Sequence, residues 1–115
     1  MKYQHTITAD AIGDVPVIYI EGDLTSDADQ DAKRVYSEVK NRYPLRKIII
    51  NFENTRYINS SGVATLIQII QDVQERGGAV AFVGLSGHLH NVMDIVGVSN
   101  LVSIYDTNAD VLKAV

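Results

Sequence analysis

The sequence contains no cysteine, which excludes disulfide bonds, metal sites built on thiolates and a cysteine nucleophile. It also has no apolar run approaching the roughly 20 residues that cross a bilayer. The amino-terminal stretch, Met1-Lys2-Tyr3-Gln4-His5-Thr6, lacks the apolar core of a signal peptide. These absences predict a cytoplasmic protein that is not inserted in a membrane.

Clusters of basic residues are absent as well. The formal net charge is −4, from 10 Lys and Arg against 14 Asp and Glu. Nucleic acids and anionic membrane surfaces are recognised chiefly through concentrated positive charge. The charge balance therefore argues against either of them as the main partner.

The signatures of common enzyme sites are missing too. There is no phosphate-binding P-loop, and the stretch Gly84-Leu85-Ser86-Gly87 is too short to be a dinucleotide fingerprint. Ser60 is not part of a G-x-S-x-G elbow. His88 and His90 are two residues apart, which points them to different faces of a helix and disfavours a shared metal. We predict that the protein is not an enzyme and holds no metal or cofactor.

What is present is the composition of one ordinary globular domain. The chain has 115 residues, of which 46% are hydrophobic and 21% are charged. That length is enough to bury a single core. We expect one domain spanning residues 1–115.

Hydrophobic periodicity predicts strands that alternate with helices. We expect an opening hairpin, then helices and buried strands in turn, with residues 53–57 as a loop. The predicted strands are 3–9, 15–21, 47–52, 79–83 and 102–105, and the predicted helices are 27–43, 61–76, about 87–96, and one that follows Thr107. Such alternation implies an α/β fold, with a mostly parallel sheet of four or five strands, an antiparallel amino-terminal edge strand and about four helices.

The most informative stretch runs from Tyr57 to Leu66, between a strand pattern and a helix pattern. It places Asn59, Ser60 and Ser61 at a helix amino terminus, where free N–H groups and the helix dipole favour an oxygen or a phosphate. Capping is the general explanation for such residues. However, three polar side chains followed by Gly62 exceed what one cap needs, so a serine here could accept a phosphate.

These residues resemble the STAS domain family, and specifically the bacterial anti-sigma factor antagonists. The stretch Tyr57-Ile58-Asn59-Ser60-Ser61-Gly62-Val63 is similar to the family signature of an aromatic, an apolar residue, Asp, Ser, Ser, Gly and an apolar residue. Supporting matches are Gly22-Asp23-Leu24-Thr25, Ile48-Ile49-Ile50-Asn51-Phe52, Gly77-Gly78 and Met93-Asp94-Ile95-Val96-Gly97-Val98. The resemblance covers nearly the whole chain and implies the STAS fold.

The resemblance also implies a regulatory function. Antagonists of this family bind an anti-sigma factor that is also a serine kinase of the GHKL type, and a PP2C-type phosphatase reverses the phosphorylation. Carried over, Ser60 is the phosphoacceptor, and Ser61 and Gly62 shape the helix start. The implied partner-facing residues are Gly22, Asp23, Leu24, Thr25, Thr55, Arg56, Tyr57 and Val63.

One residue departs from the family pattern. Asn59 stands where the family usually has Asp, so the capping shape is kept and the charge is lost. The departure leaves open how well Ser60 is phosphorylated. An alternative is a STAS binding module without serine phosphorylation, in a stress-signalling scaffold or a lipid-transport complex. A small hydrolase using Ser60 is a third hypothesis, for which the sequence places no base.

Overall fold

The alternating pattern folds into a sheet with helices on both faces. The computed structural model describes residues 3–114. The strands are β1 (His5–Ile12), β2 (Val15–Leu24), β3 (Lys47–Asn51), β4 (Thr55–Ile58), β5 (Ala79–Val83) and β6 (Ser103–Tyr105), and the helices are α1 (Asp29–Arg42), α2 (Ser60–Glu75), α3 (Gly87–Ile95) and α4 (Asn108–Lys113). Two short 3-10 helices lie at Ser26–Ala28 and Val98–Asn100. Predictions that concern Met1, Lys2 and Val115, namely the missing signal core and the outer domain limits, lie outside the described residues.

The sheet is mixed, with one antiparallel pair. All eight residues of β1 pair with β2, from His5 opposite Gly22 to Ile12 opposite Val15. The parallel order continues β2-β3-β5-β6, and β4 pairs in parallel with the last residues of β2. The predicted α/β class, the antiparallel edge strand and the four helices are confirmed.

β4 is the strand that the sequence pattern did not indicate, and it brings the described sheet to six strands. Thr55 and Ile58 are buried while Arg56 and Tyr57 are exposed, so the segment shows neither alternation nor a continuous apolar run. β2 does not end at Glu21 as expected. It continues through Leu24 after a register shift at Gly22–Asp23, and its extended edge pairs with β4.

The core is divided unequally between the two faces of the sheet. Ile48 and Ile50 point into the large cluster beneath α1, α2 and α3. Ile49, between them, points to the opposite face, where it packs in a small cluster with Val111 of α4. All three isoleucines are fully buried, which explains why β3 is apolar at every one of these positions.

Candidate functional site

The site is built on the first turn of α2. Asn59 is extended, and its Oδ1 atom accepts a hydrogen bond from the Gly62 N–H at 3.0 Å. Its own N–H donates to the Leu24 carbonyl oxygen at 3.3 Å, which ties the start of α2 to the end of β2. Ser60 is the first helical residue, and both Ser60 and Ser61 are exposed. The predicted cap is therefore present, and it is formed by Asn59 and not by either serine.

Gly62 makes the close packing of this turn possible. A β-carbon at this position would lie 2.1 Å from the Leu24 carbonyl oxygen, a backbone atom that cannot move aside. Only glycine allows α2 to begin directly against the end of β2. The glycine thus holds the helix start, and with it Ser60, at the carboxyl end of the sheet.

A carboxylate clamp joins three segments beside this turn. Asp23 in β2 accepts a hydrogen bond from the Gln4 N–H at 3.0 Å. Its two carboxylate oxygens also receive Nε and Nη2 of Arg56 in β4, at 3.1 and 2.7 Å. The Arg56 hydrogen bond, followed by that from Gln4, holds the pKa of Asp23 below its ordinary value. The same hydrogen bond and the charge of Asp23 raise the pKa of Arg56.

Two tyrosines stack next to the clamp. The rings of Tyr3 and Tyr57 are nearly parallel, with centroids 5.4 Å apart and an interplanar angle of 11°. Tyr3 is 52% exposed and Tyr57 37% exposed. Together with the Arg56 side chain, which is 68% exposed, they form a surface that we call the tyrosine–arginine patch. Aromatic and arginine side chains of this kind are the residues that most often anchor protein partners.

The structure separates the residues expected to face a partner into two groups. Arg56 and Tyr57 reach the surface. The others are buried or half-buried beneath the edge at the carboxyl end of the sheet, which we call the rim. They are Gly22, Asp23, Leu24, Thr25, Thr55 and Val63. Direct contact through these side chains would require the rim to open, so we retain them as supports of the surface.

Three of these supports have a visible structural task. Thr25 accepts a hydrogen bond from the Asp27 N–H and caps the short 3-10 helix. The Thr55 hydroxyl donates to the Ile20 carbonyl oxygen. Gly22 has a φ of +85°, and a β-carbon there would lie 2.3 Å from the Gln4 carbonyl oxygen. A backbone in this region favours glycine.

Sequence reasoning missed the contribution of Tyr3 and Gln4 to the site. The sequence pattern predicts both in an edge strand, whereas they precede β1 and lie against the ends of β2 and β4. No local signal marks this contact, because Gln4 and Asp23 are 19 residues apart in sequence.

Among residues 3–114, no three His, Cys, Asp or Glu side chains are grouped so as to hold a metal ion. None of the helices described is long and apolar enough to cross a membrane.

The family is shown by a match that covers most of the chain. A family model described as the STAS domain matches residues 6–111. The chain therefore belongs to the STAS domain family.

Three individual proteins illustrate the likeness. A protein of Paenibacillus polymyxa described as an anti-sigma F factor antagonist is 20% identical over 98 residues, which are 85% of this chain and 84% of that protein. The crystal structure of an anti-sigma factor antagonist from Mycobacterium paratuberculosis matches with a TM-score of 0.84 and 17% identity, covering 97% of this chain and 94% of that one. The Bacillus cell fate determinant SpoIIAA in its phosphorylated form matches with a TM-score of 0.69 and 18% identity, covering 98% of each chain. At these identities the structural likeness establishes the fold.

Proposed function

We propose that this protein is an anti-sigma factor antagonist that works by partner switching. In its unphosphorylated form it binds an anti-sigma factor that is also a serine kinase of the GHKL type. Phosphorylation of Ser60 releases that partner, and a PP2C-type phosphatase restores the binding form. The protein would act in the cytoplasm as a binding protein and not as an enzyme.

The observation that carries the proposal is the position of Ser60. It is exposed at the first residue of a 16-residue helix, on the same rim as the tyrosine–arginine patch. The first N–H groups of a helix have no partner within the helix, and the dipole there favours negative charge. The Gly62 N–H is already satisfied by Asn59. A phosphate on Ser60 would thus find free N–H groups nearby without displacing the cap.

Support also comes from the relatives. The Paenibacillus protein is described as an anti-sigma F factor antagonist, and the Bacillus protein of similar fold is known in a phosphorylated form. The switch needs no change of fold in this chain. A phosphate adds about −1.5 to −2 charge at neutral pH, and a partner packed over Ser60 would have to desolvate that charge.

The phosphorylation is tested by intact-mass measurement and phosphosite mapping on protein purified from its native cells. We expect a gain of about 80 Da, one phosphate group, on Ser60. Ser60→Ala should abolish this gain, whereas Ser61→Ala, the matched change at the neighbouring exposed serine, should retain it. No phosphate on Ser60 under any growth condition would contradict the proposed switch and favour the unphosphorylated binding module.

The release step is tested by measuring the affinity for the anti-sigma factor kinase from the same cells. We expect the Ser60-phosphorylated protein to bind about 100-fold more weakly than the unphosphorylated protein, a loss of about 3 kcal/mol. Ser60→Glu should weaken binding in the same direction, and Ser60→Ala should bind as tightly as the wild type. Equal affinities of the phosphorylated and unphosphorylated proteins would disprove release by local obstruction.

A further inference from the structure

The outer edge of the sheet is open along β1. Among residues 3–114, no strand pairs with the side of β1 that faces away from β2. The β1–β2 register is regular over all eight residues, so β1 carries no bulge. It contains no proline, lysine or arginine, and its one carboxylate is that of Asp10. Long, regular edge strands with so little protection are templates for pairing with another chain.

A groove runs beside this open edge, between β1 and α1. Its floor is apolar, because Ile7, Val35 and Val39 line it and are each buried. Its outer wall is the exposed face of α1, where Arg34 and Glu38 lie at the surface. An occupant of the groove would therefore meet both the strand edge and a charged helix face.

The charges on that wall alternate in sign along α1. Asp31, Arg34, Glu38 and Arg42 follow one another at intervals of three or four residues, which places them on one stripe of the helix. Within the chain, Nη1 of Arg34 lies 3.1 Å from Oε1 of Glu38, and Nη2 of Arg34 lies 3.5 Å from Oδ1 of Asp31. We call these four residues the charge stripe.

The charge stripe is complementary to itself under a two-fold rotation. An axis level with Tyr36 and perpendicular to α1 would bring Arg34 of one copy opposite Glu38 of the other. The same axis would bring Asp31 opposite Arg42. Every ionised residue of the stripe would then face the opposite charge, which is what an isologous contact between identical surfaces requires.

The position of β1 against α1 places the same axis at Thr8. At one end of the strand, Nε2 of His5 lies 2.7 Å from Oδ2 of Asp31. Toward the other end, Asp10 lines the groove together with Arg42. The middle of β1, at Thr8, is therefore level with the middle of the charge stripe.

Side-chain alternation supports this register. Ile7 faces α1 and Thr8 faces away from it, since neighbouring strand residues point to opposite faces. Residues directly opposite across an antiparallel pair lie on the same face. An axis through Thr8 pairs Ile7 with Ala9 and Thr6 with Asp10, so both copies of α1 come to the same side of the sheet. A shift by one residue would place the two helices on opposite sides.

We propose that β1 and α1 form a docking surface for a second copy of this chain. The two β1 strands pair in antiparallel fashion about Thr8 and join the two sheets into one. The two α1 helices lie side by side, about 8–10 Å apart as packed helices do, and their charge stripes interlock. Ser60 takes no part in this pairing, so the test of the dimer and the test of the phosphoryl switch succeed or fail independently.

The register is tested by cross-linking, because the chain has no cysteine of its own. Thr6, Thr8 and Asp10 are exposed, so single cysteines there should not disturb folding. In the proposed pairing, the two copies of residue 8 are cross-strand neighbours with β-carbons about 4.5–5.5 Å apart, close to the span of a disulfide. The two copies of residue 6, or of residue 10, would be roughly 13 Å apart, at about 3.3 Å per residue.

We expect Thr8→Cys to form a disulfide-linked dimer at least 10-fold faster than Thr6→Cys or Asp10→Cys alone. A mixture of the Thr6→Cys and Asp10→Cys proteins should form the mixed dimer, identified by mass, at a rate close to that of Thr8→Cys. Equal rates for all three single variants, or a mixture that cross-links no faster than its components, would overturn the proposed register.

The charge stripe is tested by light scattering over a range of protein concentration. We expect the wild type to form a reversible dimer. Glu38→Arg should weaken dimerisation at least 10-fold, and the double variant Arg34→Glu/Glu38→Arg should restore it because opposite charges again face each other. Glu75→Arg, the same charge change at an exposed site on α2, should leave dimerisation unchanged. A wild type that stays monomeric at all concentrations, or a double variant that fails to recover, would overturn the proposal.

Discussion

Gly62 is the residue on which the geometry of the site depends most directly. It is buried between the start of α2 and the end of β2. The atom that a β-carbon there would meet first, the Leu24 carbonyl oxygen, belongs to the backbone. A side-chain neighbour could rotate away from an added methyl group, whereas the Leu24 carbonyl group is held in the sheet. Replacing Gly62 by alanine therefore tests whether close packing at the helix start positions Ser60.

We predict that Gly62→Ala destabilises the protein by about 1–3 kcal/mol or more, in the range of overpacked sites. Urea unfolding measures the change. Gly87 is the matched control, since a β-carbon there would meet nothing within 4 Å and its φ is not in the left-handed region. Gly87→Ala should be neutral or stabilise by up to about 1 kcal/mol. A Gly62→Ala protein as stable as the Gly87→Ala protein would show that the helix start can shift.

At the scale of elements, the Asp23 clamp links β2, β4 and the segment before β1. The carboxylate is 3% exposed, whereas the Arg56 side chain is 68% exposed, so the arginine can leave for solvent and the carboxylate cannot. The clamp thereby ties β4, the strand that the sequence pattern did not indicate, to β2 and to the segment that carries Tyr3, whose ring stacks on that of Tyr57. This ionised group thus adds to the backbone pairing of β2 with β4 in holding the rim together.

Because the pKa of Asp23 is lower in the folded protein than its ordinary value of 3.8, its ionised form contributes stability at neutral pH. This contribution is complete above the unfolded-state pKa and is lost as the pH falls through the folded-state pKa. We therefore predict that Asp23→Asn is less stable than the wild type at pH 7 and that the difference shrinks toward acid pH. Urea unfolding of both proteins from neutral pH to about pH 2 measures it.

Three other carboxylates with lowered pKa values, those of Asp29, Asp31 and Asp72, are present in both proteins. Their contributions cancel in the comparison, which isolates Asp23. Arg56→Gln, which removes the charge from the other side of the pair, should give a difference that shrinks over the same pH range. A constant difference between wild type and Asp23→Asn at every pH would rule out the ionised clamp.

At the scale of the whole molecule, the two faces of the sheet are covered very differently. Three helices pack on one face, while the small cluster on the other holds Val111 of the six-residue helix α4. Asn108 fastens α4 to the sheet, since it accepts a hydrogen bond from Asn51 at 3.0 Å and donates one to the Tyr19 hydroxyl at 3.2 Å. Stability of the second face thus depends on few contacts.

We predict that Val111→Ala destabilises the whole domain by about 2 kcal/mol, from the loss of buried methyl groups and the cavity they leave. Thermal unfolding followed by circular dichroism measures the effect, and the transition should remain single. Lys113→Ala, at an exposed position of the same helix, should stay within about 0.5 kcal/mol of the wild type. A Val111→Ala protein indistinguishable from Lys113→Ala would mean that α4 adds nothing to the core.

Much of the fold could be predicted because its signals are local. The isoleucine run of β3 predicts a strand buried on both faces, and the apolar spacing of α2 predicts a helix that begins near Ser60. The predicted ends of strands are less accurate where pairing with a neighbouring strand determines them. β2 was expected to end at Glu21 and instead runs to Leu24, because β4 is there to pair with it.

For the candidate site, too, local features could be predicted from the sequence and long-range neighbours could not. That Ser60 begins a helix follows from the residues around it, since capping and helical periodicity act over a few positions. The sequence does not predict which residues are exposed around Ser60, because Leu24, Val63 and Tyr57 are all apolar residues near a turn. Packing buries Leu24 and Val63 and leaves Tyr57 exposed.

The sequence by itself determined the α/β class, the serine at a helix start and the absence of cysteine chemistry, because each depends on residue identity or on spacing along the chain. The tertiary structure alone decided the carboxylate clamp, the tyrosine–arginine patch and the open edge beside the charge stripe. Their parts lie far apart in sequence: Asp23 is 33 residues from Arg56, and His5 is 26 residues from Asp31. Such contacts arise when the sheet brings strand ends and helix faces together, and no local sequence pattern encodes these long-range contacts.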